Sequence, residues 1–141
     1  MKLSILAFGA HPDDVELSAA GTLLKHQAAG AAIGIIDLTE GELGSRGTVD
    51  TRYAEAKAAG EILQLSVREN LQMGDGFFTH SEENLLKIVQ QIRRFQPTVV
   101  FANAHSDRHP DHAKGSKLVS DACFLSGLRK IETSLNGENQ T

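Results

Sequence analysis

Residues 3–16 read Leu3-Ser4-Ile5-Leu6-Ala7-Phe8-Gly9-Ala10-His11-Pro12-Asp13-Asp14-Val15-Glu16. The apolar run Leu3 to Phe8 is too short for a good helix and is stopped by Gly9, which predicts a buried strand. From Ser18 to Ala29, Ala20, Leu23, Leu24 and Ala28 recur at near-helical spacing, and Gly30 stands where a left-handed C-terminal cap belongs. Ala32 to Leu38 is again short and β-branched, through Ile33, Ile35 and Ile36. Two strands joined through a helix form a right-handed βαβ unit, so they run parallel.

The same alternation continues outward from that unit. Thr39 to Asp50, with Gly41, Gly44 and Gly47 among polar residues, predicts a long loop. Thr51 to Leu65 is alanine-rich and helical, and Ser66 to Leu71 is a short strand candidate. Met73 to His80 is turn-rich. Glu82 to Phe95 places Leu85, Leu86, Ile88, Val89, Ile92 and Phe95 on one broad stripe, the clearest amphipathic helix of the chain. Pro97 ends it and opens a strand over Thr98 to Ala102, then a polar loop from His105 to His112 and a last helix over Ala113 to Leu128. Residues 133–141 read as a polar, frayed tail after one domain over residues 1–132. The order β-α-β-α-β-α-β-α predicts an α/β fold: an open, mostly parallel, Rossmann-like sheet with helices on both faces. Ligands of such sheets bind beyond the carboxyl ends of the strands, so three loops should converge there: 10–16, 39–50 and 103–112.

Composition fits one folded domain. The chain has 141 residues, 40% hydrophobic and 23% charged, with a formal charge of −4. No Lys/Arg-rich run offers a cationic surface, so a nucleic-acid partner is not expected. No apolar run approaches the roughly 18 residues of a spanning helix, so no membrane partner is expected either. The lone Cys123 cannot close an internal disulfide, and the opening residues turn polar too soon for a signal peptide, so a reducing cytoplasm is the expected location. Cys123 lies in an apolar helical stretch and reads as a small core residue.

Two clusters carry chemistry. A nucleotide-binding turn would put G-x-G-x-x-G after the first strand, but carboxylates stand there and would repel phosphate. His11, Asp13 and Asp14 instead suit a cation, or else Asp13 or Asp14 caps the next helix. The second cluster, His105-Ser106-Asp107-Arg108-His109-Pro110-Asp111-His112, packs three of the six histidines into one loop at the same predicted sheet edge. Pro110 argues that His109 and His112 do not share a continuous helical face. Two imidazoles and a carboxylate leave a coordination position for water on a divalent ion such as zinc, whose field lowers that water's pKa toward about 7, and hydrolysis follows. Of two adjacent carboxylates one binds and the other stays nearby as a base, while a spare histidine stabilises an oxyanion. Arg46 and Arg52 flank the glycine-rich loop, either as anion receptors or as exposed solubilising charges. Glu40 and Glu42 share that ambiguity, and His26 and His80 read as surface residues. The G-x-S-x-G of a serine hydrolase is absent.

Ala10-His11-Pro12-Asp13-Asp14-Val15-Glu16 together with Asp107-Arg108-His109-Pro110-Asp111-His112 resembles the LmbE-like, or PIG-L, family of zinc-dependent N-acetylglucosamine deacetylases. The first ten residues, the loop Leu38 to Thr48 and Arg52 are similar to the subgroup that deacetylates N-acetylglucosaminyl malate in bacillithiol biosynthesis. The resemblance implies that His11, Asp14 and His112 bind zinc, with other divalent metals such as iron accommodated by the same donors. It further implies that Asp13 is the general base, that His109 stabilises the oxyanion or protonates the leaving amine, and that Arg52 holds the substrate. Family members run beyond residue 141, so the resemblance also implies a C-terminally truncated domain and, at full length, a homo-oligomer such as a hexamer. A metal-binding fragment or interaction module without a complete substrate pocket is the competing expectation.

Overall fold

The computed structural model describes residues 1–140. Four strands, β1 (Ile5–Gly9), β2 (Ile33–Thr39), β3 (Val67–Met73) and β4 (Val99–Phe101), form one sheet in the order β3-β2-β1-β4. Every pairing is parallel. Four helices alternate with them: α1 (Asp14–Ala28), α2 (Val49–Ile62), α3 (Glu82–Phe95) and α4 (Pro110–Ser126). The expected parallel α/β architecture is what the chain forms.

Side chains alternate across β1 and β2 with the period of two that a pleated strand imposes, and this splits the core in two. Leu6, Phe8, Ile36 and Leu38 face α3 and α4, meeting Ile88, Val89, Ile92, Phe95, Leu118 and Val119. Ile5, Ala7, Ile33 and Ile35 face the other way, against Val15, Leu23 and Leu63. Both faces of the central strands are therefore dry, which is why β1 and β2 read as unbroken apolar runs. The stripe on α3 spans the predicted residues. Ser81 caps its N-terminus by accepting the Asn84 N–H at 3.3 Å, and Gln96 turns left-handed at its end with φ 42°. Burying Ile88, Val89, Ile92 and Phe95 contributes roughly 1.5–3 kcal/mol each.

Most boundaries move by one to three residues, and three departures from expectation have a local reason. Helix α1 starts at Asp14 rather than Ser18, because its first turn is stabilised by the acids Asp14 and Glu16 at the positive end of the helix and carries no apolar period to read. Helix α4 starts at Pro110, so His112 lies in its first turn and not in a loop; proline at the first helical position has its φ preset and loses no needed N–H. The polar tail is paired rather than frayed: β5 (Thr133–Leu135) and β6 (Glu138–Gln140) make an antiparallel hairpin turning at Asn136 and Gly137, both with positive φ. Arg93 on α3 fastens it, donating to the carbonyls of Ser126, Leu128, Ile131 and Gln140 and to the Thr133 hydroxyl at 2.7–3.0 Å. Thr141 lies outside the described residues. Cys123 is half-buried against the α3–α4 side of the core, as expected, and burial pushes its thiol pKa up. Among the described residues no helix is long and apolar enough to cross a membrane.

Candidate active site at the carboxyl edge of the sheet

The register aligns Gly9 with Asp37 and Ala7 with Phe101, so the chain leaves β1, β2 and β4 at one edge. The departing loops are tied to each other. Thr39 donates from both its backbone N–H and its hydroxyl to the Ala10 carbonyl, at 3.1 and 2.8 Å. Asn103, just past β4, accepts the Ala10 N–H at 2.9 Å and donates to Asp14 Oδ2 at 3.0 Å. Four loops converge here, not three, because the turn after β3 also joins through Asp75 and Gly76.

The two histidine–acid clusters meet. His112 Nε2 lies 3.2 Å from Asp14 Oδ1, and His11 Nδ1 lies 3.6 Å from Asp14 Oδ2. Ligands at about 2.0–2.1 Å from a tetrahedral ion stand roughly 3.3 Å apart, so these separations fit a zinc-sized cation. The remaining nitrogen of each ring is held by a carboxylate. His11 Nε2 is 2.9 Å from Asp75 Oδ1 and 3.2 Å from Asp111 Oδ2, and His112 Nδ1 is 3.0 Å from Asp107 Oδ2. Carboxylates so placed fix the tautomer of an imidazole and would orient it toward an ion. The sets of three found with all donor atoms within 4.8 Å of one another are His11 with His109 and His112, and His11 with Asp75 and Asp111; Asp14 belongs to neither.

Asp13 does not cap α1: among the described residues its side chain makes no capping hydrogen bond, while Asp14 Oδ2 accepts the His11 N–H at 3.0 Å. The backbone of Asp13 sits at φ 138°, a region that costs a residue with a Cβ about 1–3 kcal/mol and persists where the surroundings impose it. Its carboxyl faces the same cavity as the rings. His109 forms the N-cap of α4, with Nδ1 accepting the Asp111 N–H at 3.2 Å. The proton of the neutral ring therefore resides on Nε2, making His109 a donor. Its ring stacks on His112, centroids 4.7 Å apart, and meets His11 edge-on at the same distance. His105 is exposed.

Electrostatics separate the carboxylates. Burial acts to raise Asp14, but hydrogen bonds from His11 and Asn103 and the nearby His112 outweigh it and hold the carboxyl at about 2. Desolvation and the charge of Asp14 push Asp13 upward instead, against the pull of Arg52 and His11. Burial lowers His11, yet Asp14, Asp75 and Asp111 around it lift the ring to about 9.

Arg52 on α2 reaches the same cavity of about 410 Å3, which His11, Asp13, Asp14, His109 and His112 line. Its Nη1 donates to the Pro12 carbonyl at 3.3 Å. The guanidinium lies against bare backbone: a Cβ at Gly41, which has φ +63°, would stand 2.8 Å from Nη1, and one at Gly44 2.8 Å from Nη2. Glu42 accepts the Asp75 N–H at 2.8 Å, and Glu40 accepts the Tyr53 hydroxyl at 2.7 Å, so both glutamates brace the loop. His80 is exposed as expected, paired with Asp121 at 2.7 Å.

Asp75 had no signal of its own in the sequence, being one acid in a turn-rich stretch. The rule that selects strand ends would have found it at the end of β3. It is 8% exposed and its Oδ2 accepts the Leu43 N–H at 2.9 Å, which links the glycine-rich loop to His11.

A parallel α/β sheet whose strand ends gather imidazoles and carboxylates defines the class: an α/β domain with a candidate metal site at the carboxyl edge of its sheet. Within that class, the model of the PIG-L family, described as GlcNAc-PI de-N-acetylase, matches residues 6–123, and the chain belongs to this family. The crystal structure of the conserved protein TT1542 from Thermus thermophilus is 44% identical with a TM-score of 0.89, over 96% of this chain and 62% of that one. Diacetylchitobiose deacetylase of Thermococcus kodakarensis is 29% identical over 92% of this chain and 52% of its own length. The structure of the 4-carboxy-2-hydroxymuconate hydratase GalB from Pseudomonas putida is 29% identical with a TM-score of 0.82, over 92% of this chain and 59% of that one. The chain thus spans about half the length of the deacetylase it matches.

Proposed function

We propose that the chain carries the metal-dependent hydrolysis of the acetamide of an N-acetylglucosamine conjugate, with N-acetylglucosaminyl malate, a precursor of bacillithiol, as substrate and zinc as the resident ion. The observation that carries this reading is the convergence of His11, Asp13 and Asp14 with His109 and His112 in one cavity that Arg52 also lines. His11, Asp14 and His112 hold the ion. Bound there, zinc supplies a Lewis acid that brings the pKa of water near neutrality and polarises a carbonyl.

The chain's own groups do the rest. Asp13, with its carboxyl pushed up, takes the proton of the attacking water as general base. His109, protonated on Nε2, donates a hydrogen bond to the oxyanion that grows on the carbonyl oxygen, and the proton that Asp13 took passes to the nitrogen as the C–N bond breaks. Arg52, held in place by Gly41, Gly44 and the Pro12 carbonyl, orients the substrate with a fork of donors that matches a malate carboxylate. The family description and the deacetylase relative support the amide as the scissile bond. The malate aglycone rests on the resemblance of the first ten residues, the loop Leu38 to Thr48 and Arg52, a cytoplasmic location on the lone Cys123, and a homo-oligomer such as a hexamer on the family resemblance. The competing reading is a metal-holding fragment or interaction module that lacks a full substrate pocket.

The test is zinc content per chain and acetate release measured on one sample, for the wild type, His112→Ala and Asp13→Asn. Near-stoichiometric zinc with acetate release, the metal lost in His112→Ala and only the turnover lost in Asp13→Asn, is the expected result. Zinc without turnover selects the fragment reading. Hydration of an unsaturated carboxylate in place of acetate release overturns both.

A further inference from the structure

The backbone of Asp13 keeps a conformation, φ 138°, that its own side chain does nothing to stabilise, since it makes no capping hydrogen bond. Such a geometry persists only where the contacts around it impose it. On the upstream side the Pro12 carbonyl is held by Arg52, and Asp14 is held by Asn103 and the His11 N–H. On the downstream side the first turn of α1 rests on the buried Val15 and on one charged contact that no site residue makes: Glu16 accepts from Arg68 Nη1.

Arg68 stands on β3 opposite Ile35 of β2, with its guanidinium between two carboxylates. Nε and Nη2 donate to Asp37 Oδ2 at 3.0 and 2.8 Å, while Nη1 turns the other way to Glu16. Asp37 is 2% exposed, and the register sets it beside Gly9, the last residue of β1 before the histidine–aspartate turn. The second oxygen of each acid, Glu16 Oε2 and Asp37 Oδ1, is buried without a hydrogen-bond partner. Among the described residues Arg68 is thus the one side chain that either carboxylate holds. A planar fork can donate in two directions at once, whereas a lysine ammonium is a point charge. One guanidinium therefore ties α1, β2 and β3 together, two positions past Asp14.

We infer that Arg68 is a positioning residue: through Glu16 it holds the first turn of α1, which keeps the Asp13 backbone in its strained conformation and its carboxyl toward the metal-site cavity. What Asp13 does there rests on the deacetylase reading; how it is held does not. Neither Arg68 nor Glu16 lines that cavity, so neither touches what binds in it. Loosening the brace therefore displaces the base without removing a substrate contact, and a displacement of about 1 Å is enough to cost rate.

The test is Glu16→Ala, which leaves Arg68 and Asp37 as a matched pair; removing Arg68 instead would orphan two acids and unsettle the fold. At saturating zinc, kcat for acetate release from methyl N-acetylglucosaminide falls roughly tenfold with KM unchanged. Glu16→Gln, which can still accept from Nη1, restores part of it, and Arg93→Ala, which loosens the distant hairpin, leaves kcat as it was. Alongside, the three-bond HN–Hα coupling of Asp13, which reports φ, is measured by NMR on the metal-free chain. It moves to the value of an unstrained backbone in Glu16→Ala and stays in place in Glu16→Gln and Arg93→Ala. An unmoved coupling in Glu16→Ala overturns the inference, as does a moved coupling with kcat unchanged. If the wild type releases no acetate, the deacetylase reading fails by itself and the coupling alone decides whether Arg68 holds the turn.

Discussion

Truncating Asp111 to alanine strips three partners from one wholly buried carboxylate. Oδ2 accepts the Gly76 N–H at 2.7 Å and stands 3.2 Å from His11 Nε2, while Oδ1 lies 3.0 Å from Lys114 Nζ. The residue is 0% exposed, so water does not replace what is lost. An orphaned Gly76 N–H costs about 1–3 kcal/mol, and the half-exposed lysine contact adds at most about 1 kcal/mol. His11 keeps Asp75 at 2.9 Å and is not left alone. The expected loss is thus about 1–4 kcal/mol. With an unfolding entropy of about 2.1 cal/mol/K per residue, or roughly 0.3 kcal/mol/K for the chain, Tm falls by about 3–13 °C. Asp111→Asn retains one oxygen for Gly76 and should lose roughly half as much. Calorimetry on the metal-free protein at pH 7 isolates the effect from any loss of metal. A drop below about 3 °C for the alanine variant, or equal drops for both variants, would show that the carboxylate does not tie α4 to the turn after β3.

Further outcomes follow from the same geometry. In the metal-free chain His11 titrates at about 9, above its usual 6.5, so its contribution to stability is full below about pH 6.5 and is lost as the pH rises through about 9. Metal needs the unprotonated nitrogen, so zinc affinity from chelator competition rises about tenfold per pH unit from about pH 7 and flattens above about pH 9; a flat profile contradicts one-proton release. Gly44→Ala drives a Cβ to 2.8 Å from Arg52 Nη2, and steady-state kinetics should show kcat/KM lowered by roughly tenfold with Tm nearly unchanged. Arg93→Ala frees the β5–β6 hairpin, lowers stability by about 1.5–3 kcal/mol and exposes residues 127–137 to limited proteolysis. Zinc affinity is unaffected there, since no hairpin residue lines the site cavity.

What the sequence disclosed, and what it withheld, follows from the range of the forces involved. The stripe on α3 and the apolar runs of β1 and β2 are set by burial, which writes a period into the chain, and all three were legible. The first turn of α1 was not, because Asp13 and Asp14 are placed there by strand-end geometry and a strained φ, neither of which has a period. The hairpin was hidden for a related reason: Thr133–Leu135 and Glu138–Gln140 hold one leucine between them, and their anchor is an arginine some forty residues earlier. At the site, the histidines and paired aspartates stood out by their density, and Arg52 by its place beside the glycine-rich loop. Asp75 and the orienting contact of Asp107 depend on which loops fold together, information that no single segment carries.

The set His11, Asp14 and His112 joins two clusters that stand about a hundred positions apart in sequence. An unfolded chain holds no such cluster, so an ion that binds it binds the native state alone. At a free concentration a hundred times its Kd, such an ion adds about 2.7 kcal/mol to stability, equivalent to a hundredfold fall in the unfolded population. Proteases that act on the open form sample that population. Under the proposed metal reading, metal supply therefore sets how long a molecule of this protein survives, and a starved molecule is turned over first.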